Sequence, residues 1–433
     1  MSRIGVVGLG YVGLTTAACL ADLGHDVTGI DVDGSRVALL NRGRVPIYEP
    51  GVEELIARGR HDGRLAFTTD IAEAMDRADF VFLAVGTPPD SRGGADLTAL
   101  KEAARSIGEN LVDDIVVINK STVPIGTGDV VSDIVAETRP SPDLRFSVVS
   151  NPEFLREGSA VTDFMHPDRI VLGGHDRAAA ERVAELYQPL EAPVLITDLY
   201  TAEMIKYASN AFLATKISFI NEIARICEKL DADVSVVAEG MGMDARIGRA
   251  FLDAGIGFGG SCFPKDVRAL ARMAQEMDYH PELLHTVMDI NRDMRRLVVD
   301  RLQELLGGVR GQRIGILGLS YKPNTDDLRE APSLDIIETL LKKGAHVTVY
   351  DPVAMAKAKH LLNGGVVTAR DAYGAARKAD AVALLTEWNQ FRSLDMRRLK
   401  AAMRRPVIVD GRNIWEPKRM HDLGFVYRGI GRR

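Results

Sequence analysis

Apolar runs that end at glycine turns occur at two distant places in the chain and predict two similar folding units. Residues 3–10, RIGVVGLG, are matched by residues 313–320, RIGILGLS, and each run has the pattern of a buried strand entering a turn. Downstream, residues 20–31 match residues 340–351, where a helix end and a glycine precede a strand that finishes on aspartate. Each half of the chain is therefore predicted to begin with a βαβ unit.

Further apolar runs predict additional parallel strands, and a different pattern fills the middle of the chain. The predicted strands are residues 80–85, 115–118, 146–149, 381–385 and 407–409. From residue 201 to 306, long helical periodicity predicts helices over residues 203–230, 266–277 and 281–306. We therefore expect an α/β protein in which a central helical domain joins two Rossmann-like, doubly wound domains and includes a long connecting helix.

The length fits this organisation, because 433 residues exceed what one ordinary core accommodates. The expected domains are residues 1–200, 201–306 and 307–433. The first and last are the Rossmann-like domains, and the central one is a candidate for a dimer interface.

Composition narrows the classes of function. The chain is 46% hydrophobic and 26% charged, as in ordinary globular proteins, and its net charge of -6 disfavours nucleic acid or an anionic membrane as partner. We find no export-signal pattern and no apolar run near the ~20 residues of a spanning helix, so we expect a cytoplasmic protein. The three cysteines are widely spaced and show no metal-ligand pattern, so we expect thiols and no metal site.

The first glycine turn predicts a dinucleotide site. Gly8, Gly10 and Gly13 follow a strand and open a helix, where the backbone approaches a pyrophosphate and the helix N-terminus stabilises its charge. Asp31 ends the next strand, where a carboxylate binds ribose hydroxyls and repels a 2′-phosphate, so NAD is favoured over NADP. Arg36 weakens this preference slightly, because a nearby arginine also suits a 2′-phosphate.

Two threonines are candidate cofactor contacts. Thr87 and Thr122 lie just beyond the apolar runs 80–85 and 115–118, at strand ends that face the ligand crevice of an open sheet. The alternative interpretation is that both are simple turn residues.

Cys262 is the candidate nucleophile. It lies in the glycine-rich segment 255–266, and Pro264 predicts that a helix begins just after it, so that the positive end of the helix dipole stabilises a thiolate. Lys265 adds positive charge and Asp266 is placed on the same side of the first turn. Cys19 and Cys227 lie in apolar helical patterns and are expected to be small buried residues.

Other polar residues complete a possible catalytic set. Lys206 and Asn210 share one face of the long helix and are suited to holding an oxyanion, although an exposed polar stripe is the alternative. The segment NPE at residues 151–153 predicts a helix start, with Glu153 and Glu157 on one face and Glu153 as a possible general base. Lys322, Arg329 and Arg412 occur in or beside turns of the second half and suit phosphate binding, unless they are solvated loop charges.

At this point the chain resembles the UDP-glucose and GDP-mannose dehydrogenases over almost its whole length. The motifs that carry the resemblance are GLGYVG at 8–13, YEPG at 48–51, KSTVP at 120–124, NPEFLREG at 151–158, EMIKYASN at 203–210, GFGGSCFPKD at 257–266 and YKPNTDDLR at 321–329. The resemblance implies oxidation of the C6 alcohol of a nucleotide sugar to a carboxylate with two NAD, through a thioester on the nucleophilic cysteine. UDP-glucose is the favoured substrate.

The resemblance also implies roles at matching positions: Cys262 as nucleophile, Lys206 and Asn210 as oxyanion and water ligands, Asp266 in proton transfer, and Glu153 as base for thioester hydrolysis. Thr122 is expected among both the catalytic residues and the NAD contacts. The implied NAD contacts are Gly8, Gly10, Val12, Gly13, Asp31, Arg36, Thr87, Thr122, Glu157, Lys265 and Arg329. The implied substrate contacts are Glu153, Phe154, Leu155, Arg156, Glu157, Lys206, Asn210, Phe251, Leu252, Asp253, Ala254, Gly255, Gly259, Lys322 and Arg412.

The resemblance further implies a homodimer in which Arg246 reaches the substrate of the neighbouring subunit. One departure is Asp253, which stands where some relatives carry lysine, and backbone contacts of that loop do not depend on this side chain.

Three alternatives remain at this stage. A GDP-mannose 6-dehydrogenase or another nucleotide-sugar 6-dehydrogenase has the same chemistry, but the segments 246–248 and 261–264 favour UDP-glucose. A two-electron hydroxyacid dehydrogenase does not need Cys262 or a second nucleotide fold. A non-catalytic nucleotide-binding regulator does not need a nucleophile, a base and oxyanion groups together.

Overall fold

The computed structural model describes residues 1–76, 78–90, 93–362 and 365–432. The chain divides into two compact units, Met1–Ser209 and Asn210–Arg433. This division falls within one long helix and groups the central helices with the C-terminal fold, so the three-domain boundaries stay a prediction. Within the described residues, no helix combines the length and the apolar character that crossing a membrane requires.

The first unit is built on an eight-stranded sheet in the order β3-β2-β1-β4-β5-β6-β7-β8. All neighbouring strands are parallel except β6 and β7. The strands are β1 Arg3–Val7, β2 Asp26–Ile30, β3 Leu65–Thr68, β4 Phe80–Leu83, β5 Ile115–Asn119, β6 Phe146–Ser150, β7 Ile170–Gly174 and β8 Val194–Thr197. The central strands β4 and β5 are buried along their whole length, as their unbroken apolar runs predict.

Helices cover this sheet. They are α1 Tyr11–Asp22, α2 Gly34–Asn41, α3 Val52–His61, α4 Ile71–Met75, α5 Thr98–Glu109, α6 Thr127–Thr138, α7 Ala160–Met165, α8 Arg177–Leu186 and α9 Leu199–Leu230, with a 3₁₀ turn at Gln188–Leu190. The order of β1 to β6 reverses between β1 and β4. The turns that follow these two strands therefore lie at a topological switch point, where open sheets bind ligands.

The second unit contains a six-stranded parallel sheet in the order β11-β10-β9-β12-β13-β14. Its strands are β9 Arg313–Leu317, β10 His346–Tyr350, β11 Val366–Thr368, β12 Ala381–Leu384, β13 Val407–Asp410 and β14 Val426–Arg428. Its helices are α10 Val234–Gly242, α11 Phe263–Glu276, α12 Glu282–Leu306, α13 Pro332–Lys342, α14 Met355–Leu361, α15 Ala372–Ala376, α16 Asn389–Arg392, α17 Met396–Ala402 and α18 Pro417–Asp422. The predicted pair of doubly wound folds is confirmed.

Candidate active site

The three glycines of the first turn differ in their surroundings: Gly8 and Gly13 are required by the backbone, whereas Gly10 borders open space. Gly8 has φ 95°, and a Cβ on Gly13 would lie 1.8 Å from the Gly8 carbonyl oxygen, so both positions require glycine. Gly10 is the N-cap of α1, and a Cβ there would meet no atom within 4 Å. The space beside Gly10 and the first turn of α1, which includes Val12, suit the close approach of a pyrophosphate.

Asp31 stands at the end of β2 and organises the same turn. Its carboxylate accepts hydrogen bonds from the amides of Leu9 at 2.8 Å and Asp33 at 2.9 Å. The Arg36 guanidinium lies 2.7 Å from the same carboxylate. Arg36 is therefore engaged by Asp31, and this pairing suits ribose hydroxyls better than a 2′-phosphate. Together with the open space at Gly10, these residues fit NAD.

The two threonines lie together at the ends of adjacent strands. The Thr87 hydroxyl, beyond β4, donates to the Thr122 carbonyl, beyond β5, at 2.8 Å. A small cavity adjoins them, lined by Asn119, Ser121, Thr122, Val123, Ser150, Pro152, Glu203 and Lys206. The sequence placed both threonines at this edge correctly, because strand ends follow directly from the apolar runs.

Glu153 and Lys206 form a buried ion pair. The Lys206 ammonium lies 3.0 Å from a Glu153 carboxylate oxygen, and each side chain is only 5% exposed. The other Glu153 oxygen accepts from the Leu155 amide at 2.6 Å. The ion pair and this hydrogen bond restrain the position of the Glu153 carboxylate, as a general base requires.

The prediction that a helix starts at Asn151 is wrong. Residues 151–156 contain no helix, and α7 begins at Ala160. The Asn151 side chain does not cap a helix, because it accepts from Lys120 at 2.9 Å and from Tyr187 at 2.6 Å, and donates to the Val171 carbonyl at 3.0 Å. Glu153 is therefore held by a loop, and Glu157 follows it half-buried in the same loop.

The sequence analysis assigned no role to two buried charged residues near this loop. Glu203 accepts from the amides of Gly126 at 2.6 Å and Gly128 at 2.8 Å, so it caps the start of α6. Burial raises the pKa of Glu203, and these hydrogen bonds oppose the rise. Lys120 is buried directly after β5. The sequence signal that could have identified Lys120 is its place directly after a strand that is apolar up to Ile118.

The neighbouring residues of the loop are only partly buried. The Phe154 ring lies under the Arg169 guanidinium at 3.7 Å and near the Lys206 ammonium at 5.3 Å. Arg156 pairs with Asp163 at 2.6 Å, and Leu155 packs against the main core of the unit.

In the second unit, Cys262 occupies the predicted place at a helix start. It is the N-cap of α11, its carbonyl accepts the Asp266 amide at 2.8 Å, and its thiol is half-buried and 3.6 Å from the Ser261 hydroxyl. Cys19 and Cys227 are buried in apolar surroundings, and burial raises the pKa of the Cys19 thiol to about 12. Cys262 is thus the one cysteine of the three beside a helix dipole and accessible to a ligand.

Asp266 is the central acceptor of this helix start. Its side chain is 1% exposed and accepts from the Asn210 amide and the Lys265 ammonium, each at 2.6 Å. These bonds fix the orientation of the Asn210 amide group. Polar groups that are positioned in advance in this way stabilise a developing oxyanion effectively.

The glycine loop before Cys262 is fixed by buried polar side chains. Asn221 accepts from the Gly255 amide at 2.8 Å, and Asn291 accepts from the Phe258 amide at 2.7 Å. A Cβ on Gly259 would lie 2.3 Å from the Glu330 carbonyl oxygen, so a side chain is excluded there. Arg412 donates to the carbonyls of Gly257, Leu385 and Tyr321 at 3.0–3.3 Å. These contacts hold the loop, and the phosphate role expected for Arg412 stays a prediction.

The remaining candidates differ in their surroundings. Phe251 has φ 65°, and its neighbours Leu252 and Ala254 are buried. Asp253 is exposed and pairs with Arg249 at 2.5 Å.

Three cationic residues that were expected at the site are exposed or partly exposed. Lys322 lies 5.6 Å from the Tyr321 ring centre. Arg329 pairs with Asp327 at 2.6 Å, and Arg246, 89% exposed, pairs with Asp244 at 2.6 Å. The sequence placed Lys322 and Arg329 in or beside turns, but it did not identify the acidic partners of Arg329 and Arg246.

Comparison with known proteins gives matches along the whole chain. Models of the UDP-glucose/GDP-mannose dehydrogenase family match in order: the NAD binding domain over residues 2–191, the central domain over 200–293 and the UDP binding domain over 315–417. UDP-glucose 6-dehydrogenase TuaD of Bacillus subtilis is 49% identical, covering 100% of this chain and 94% of that protein. UDP-glucose 6-dehydrogenase of Rhizobium meliloti is 48% identical, covering 99% of each chain. A solved UDP-glucose dehydrogenase from Pyrobaculum islandicum matches with a TM-score of 0.94 and 43% identity, covering 100% of this chain and 98% of that one.

Proposed function

The chain belongs to the UDP-glucose/GDP-mannose dehydrogenase family, and from that premise we propose that it oxidises the C6 alcohol of UDP-glucose to a carboxylate in two steps. The observation that carries the proposal is the place of Cys262, a half-buried thiol at the N-cap of α11 beside the Asp266 and Asn210 pair. NAD, when bound, accepts the hydride that leaves C6 in each oxidation.

The residues of the chain hold and activate the reacting carbon. After the first oxidation, the Cys262 thiolate adds to the C6 aldehyde, and the resulting alkoxide takes up a proton to give a thiohemiacetal. Loss of the second hydride, together with the hydroxyl proton, leaves C6 joined to Sγ as a thioester. Lys206 and Asn210 donate hydrogen bonds to the oxygen on which negative charge develops, and Asp266 takes part in the proton transfers.

Water then releases the product. Glu153 takes a proton from the water as it attacks the thioester carbon, the C–S bond breaks, and the acid leaves while Cys262 returns to its thiolate form. The buried ion pair with Lys206 supports this role, because it keeps the Glu153 carboxylate fixed in position.

Cofactor and substrate contacts follow the same assignment. We propose that Gly8, Gly10, Gly13 and Asp31 hold NAD, with Val12, Arg36, Thr87, Thr122, Glu157, Lys265 and Arg329 as further contacts. The UDP-sugar contacts are the loops 153–157 and 251–255, with Gly259 and Lys322. Arg412 contributes by fixing the loop before Cys262.

The decisive experiment counts NADH. Wild-type protein should form two NADH for each UDP-glucose consumed, and GDP-mannose in the same assay should form none. Cys262→Ser should release no acid and bind NAD normally, and Cys227→Ser serves as the matched control. One NADH per substrate, or an unchanged rate of acid release in Cys262→Ser, contradicts the covalent mechanism.

We propose further that the protein is a homodimer and that Arg246 binds the substrate of the partner subunit. Arg246 is exposed, and the second unit also exposes large apolar side chains at Phe212, Val236 and Met243, which suit an interface. Sedimentation velocity should give a dimer mass. Arg246→Ala should weaken UDP-glucose binding and leave NAD binding unchanged.

A further inference from the structure

Lys120 is a buried cation to which the proposed mechanism assigns no role. It follows β5, and only 5% of its surface is exposed. Its ammonium lies 2.9 Å from the Asn151 side-chain oxygen and 3.5 Å from the Tyr187 hydroxyl. The ammonium also lies 5.9 and 5.6 Å from the ring centres of Phe164 and Tyr187, which are themselves 5.9 Å apart. The charge is therefore held in place by an amide, a hydroxyl and two aromatic faces.

Asn151 connects this cation to the base loop. The Asn151 amide nitrogen of the backbone donates to the Asn119 carbonyl at 2.9 Å, and its side chain is fixed by Lys120, Tyr187 and Val171. Glu153 stands two residues further along the chain, in a segment without helical hydrogen bonds. This loop has no helix or strand of its own. The contacts of Asn151 therefore determine the position of Glu153.

The charge of Lys120 depends on the groups around it. Burial lowers the pKa of Lys120 to about 8, the Glu153 carboxylate opposes that shift, and Lys206 reinforces it. The groups that face the Lys120 ammonium are therefore Glu153, Lys206, the Tyr187 hydroxyl and the Cys19 thiol, and burial raises the pKa of the last two. Below pH 8, Lys120 is therefore charged, and its hydrogen bond to Asn151 is charge-assisted.

We propose that Lys120 is a positioning residue for Glu153, because its charged hydrogen bond to the Asn151 side chain anchors the loop that carries Glu153 during thioester hydrolysis. This inference rests on the proposed function, because it assigns hydrolysis to Glu153. It does not place Lys120 in contact with substrate.

The test replaces Lys120 by methionine, which keeps the length of the side chain and removes its charge. Thioester hydrolysis should slow by about tenfold at pH 7, because the charge-assisted hydrogen bond that anchors Asn151 is lost. The fall of the wild-type rate above pH 8, where Lys120 loses its proton, should be absent from the variant. The acyl-enzyme should then accumulate on Cys262 and be visible as added mass in the intact protein. The formation of the first NADH should be unchanged.

Two control variants separate the parts of the proposal. Lys101→Met makes the same substitution at an exposed lysine of α5 and should leave every rate unchanged. Tyr187→Phe removes the other donor to the Asn151 side chain without changing charge. It should slow hydrolysis less than Lys120→Met and should not move the pH profile.

The outcomes distinguish this inference from the proposed function. If wild type does not form two NADH, or if Glu153→Gln does not accumulate an acyl-enzyme, the proposed function fails. If both hold and Lys120→Met hydrolyses the thioester at the wild-type rate with an unchanged pH profile, the role of Lys120 is overturned. Should Lys120→Met not fold, single-turnover hydrolysis in wild type decides. The rate should fall above pH 8, as Lys120 loses its proton, and a flat rate from pH 7 to 9.5 overturns the inference.

Discussion

The two Rossmann-like folds begin with the same backbone device. Gly8 has φ 95° and Gly318 has φ 92°, at matching places after β1 and β9. Asp31 accepts the Leu9 amide at 2.8 Å, and Asp351 accepts the Leu319 amide at 2.7 Å. In both folds, a carboxylate at the end of the second strand fixes the turn after the first.

The folds differ in the segment that comes after this turn. In the first, α1 begins at Tyr11, one residue after Gly10, so a helix N-terminus meets the turn directly. In the second, α13 begins only at Pro332, and the loop 321–331 intervenes. Asp351 also accepts from Ser320 and Trp388, so its oxygens are occupied by its own unit. The turn of the first fold is therefore followed by a helix start with open space beside Gly10, whereas the turn of the second fold is followed by a loop.

The strongest test of this difference is steric. Gly13→Ala should destabilise the first unit by about 4 kcal/mol or more, because the new Cβ would meet the Gly8 carbonyl at 1.8 Å and the backbone must move. NAD binding should be lost with it. Gly10→Ala is the matched control, since its Cβ meets nothing within 4 Å, and it should melt like wild type while binding NAD about tenfold more weakly. Thermal melts and NAD titrations measure both variants, and a normal melt for Gly13→Ala contradicts the assignment.

The second test compares the two aspartates. Asp351→Asn should cost about 3 kcal/mol, because a buried carboxylate that accepts several donors is replaced by an amide that presents a donor to some of them. Asp31→Asn should cost less stability and should narrow the preference for NAD over NADP. Denaturant unfolding and the ratio of the two cofactor affinities measure these effects. Equal stability losses with an unchanged cofactor ratio would remove the distinction between the folds.

Much of the fold could be predicted from the sequence because its signals are local. Strands β4, β5 and β12 are unbroken apolar runs, and their predicted limits agree with the structure within one or two residues. The start of α11 was predicted from Pro264, and Cys262 is indeed its N-cap. Glycine patterns, caps and periodicity are properties of neighbouring residues, so they need no knowledge of distant contacts.

The parts that were missed depend on contacts between distant residues. Asn151 has the local pattern of a helix cap, but its side chain is taken by Lys120, Tyr187 and Val171, and the helix does not form there. Arg412 stays a predicted phosphate ligand, but its guanidinium also donates to three loop carbonyls, which no local pattern indicated. A sequence shows that such residues are polar, but only the fold shows which atoms surround them.

The ends of β5 and β13 give the last contrast between the folds. Each strand occupies the same place in its sheet, but Lys120 follows β5 whereas Asp410 ends β13. Burial lowers the pKa of Lys120 and raises the pKa of Asp410, so each group costs stability while it is charged. The cost at Lys120 fades as pH rises, and the cost at Asp410 fades as pH falls.

Lys120→Met should therefore stabilise the protein in a pH-dependent way. Below pH 8, Lys120 is charged in both the folded and the unfolded chain, and its burial has its full cost, about 1–2 kcal/mol after allowance for local relaxation. Between pH 8 and 10.5 the folded protein loses this proton first, so wild-type stability rises and the advantage of the variant shrinks. The unfolding midpoints of Lys120→Met and wild type should therefore differ clearly more at pH 7 than at pH 10. If the stability advantage of the variant instead grew with pH, the Lys120 charge would stabilise the folded protein. The burial of this charge would then carry no cost in stability.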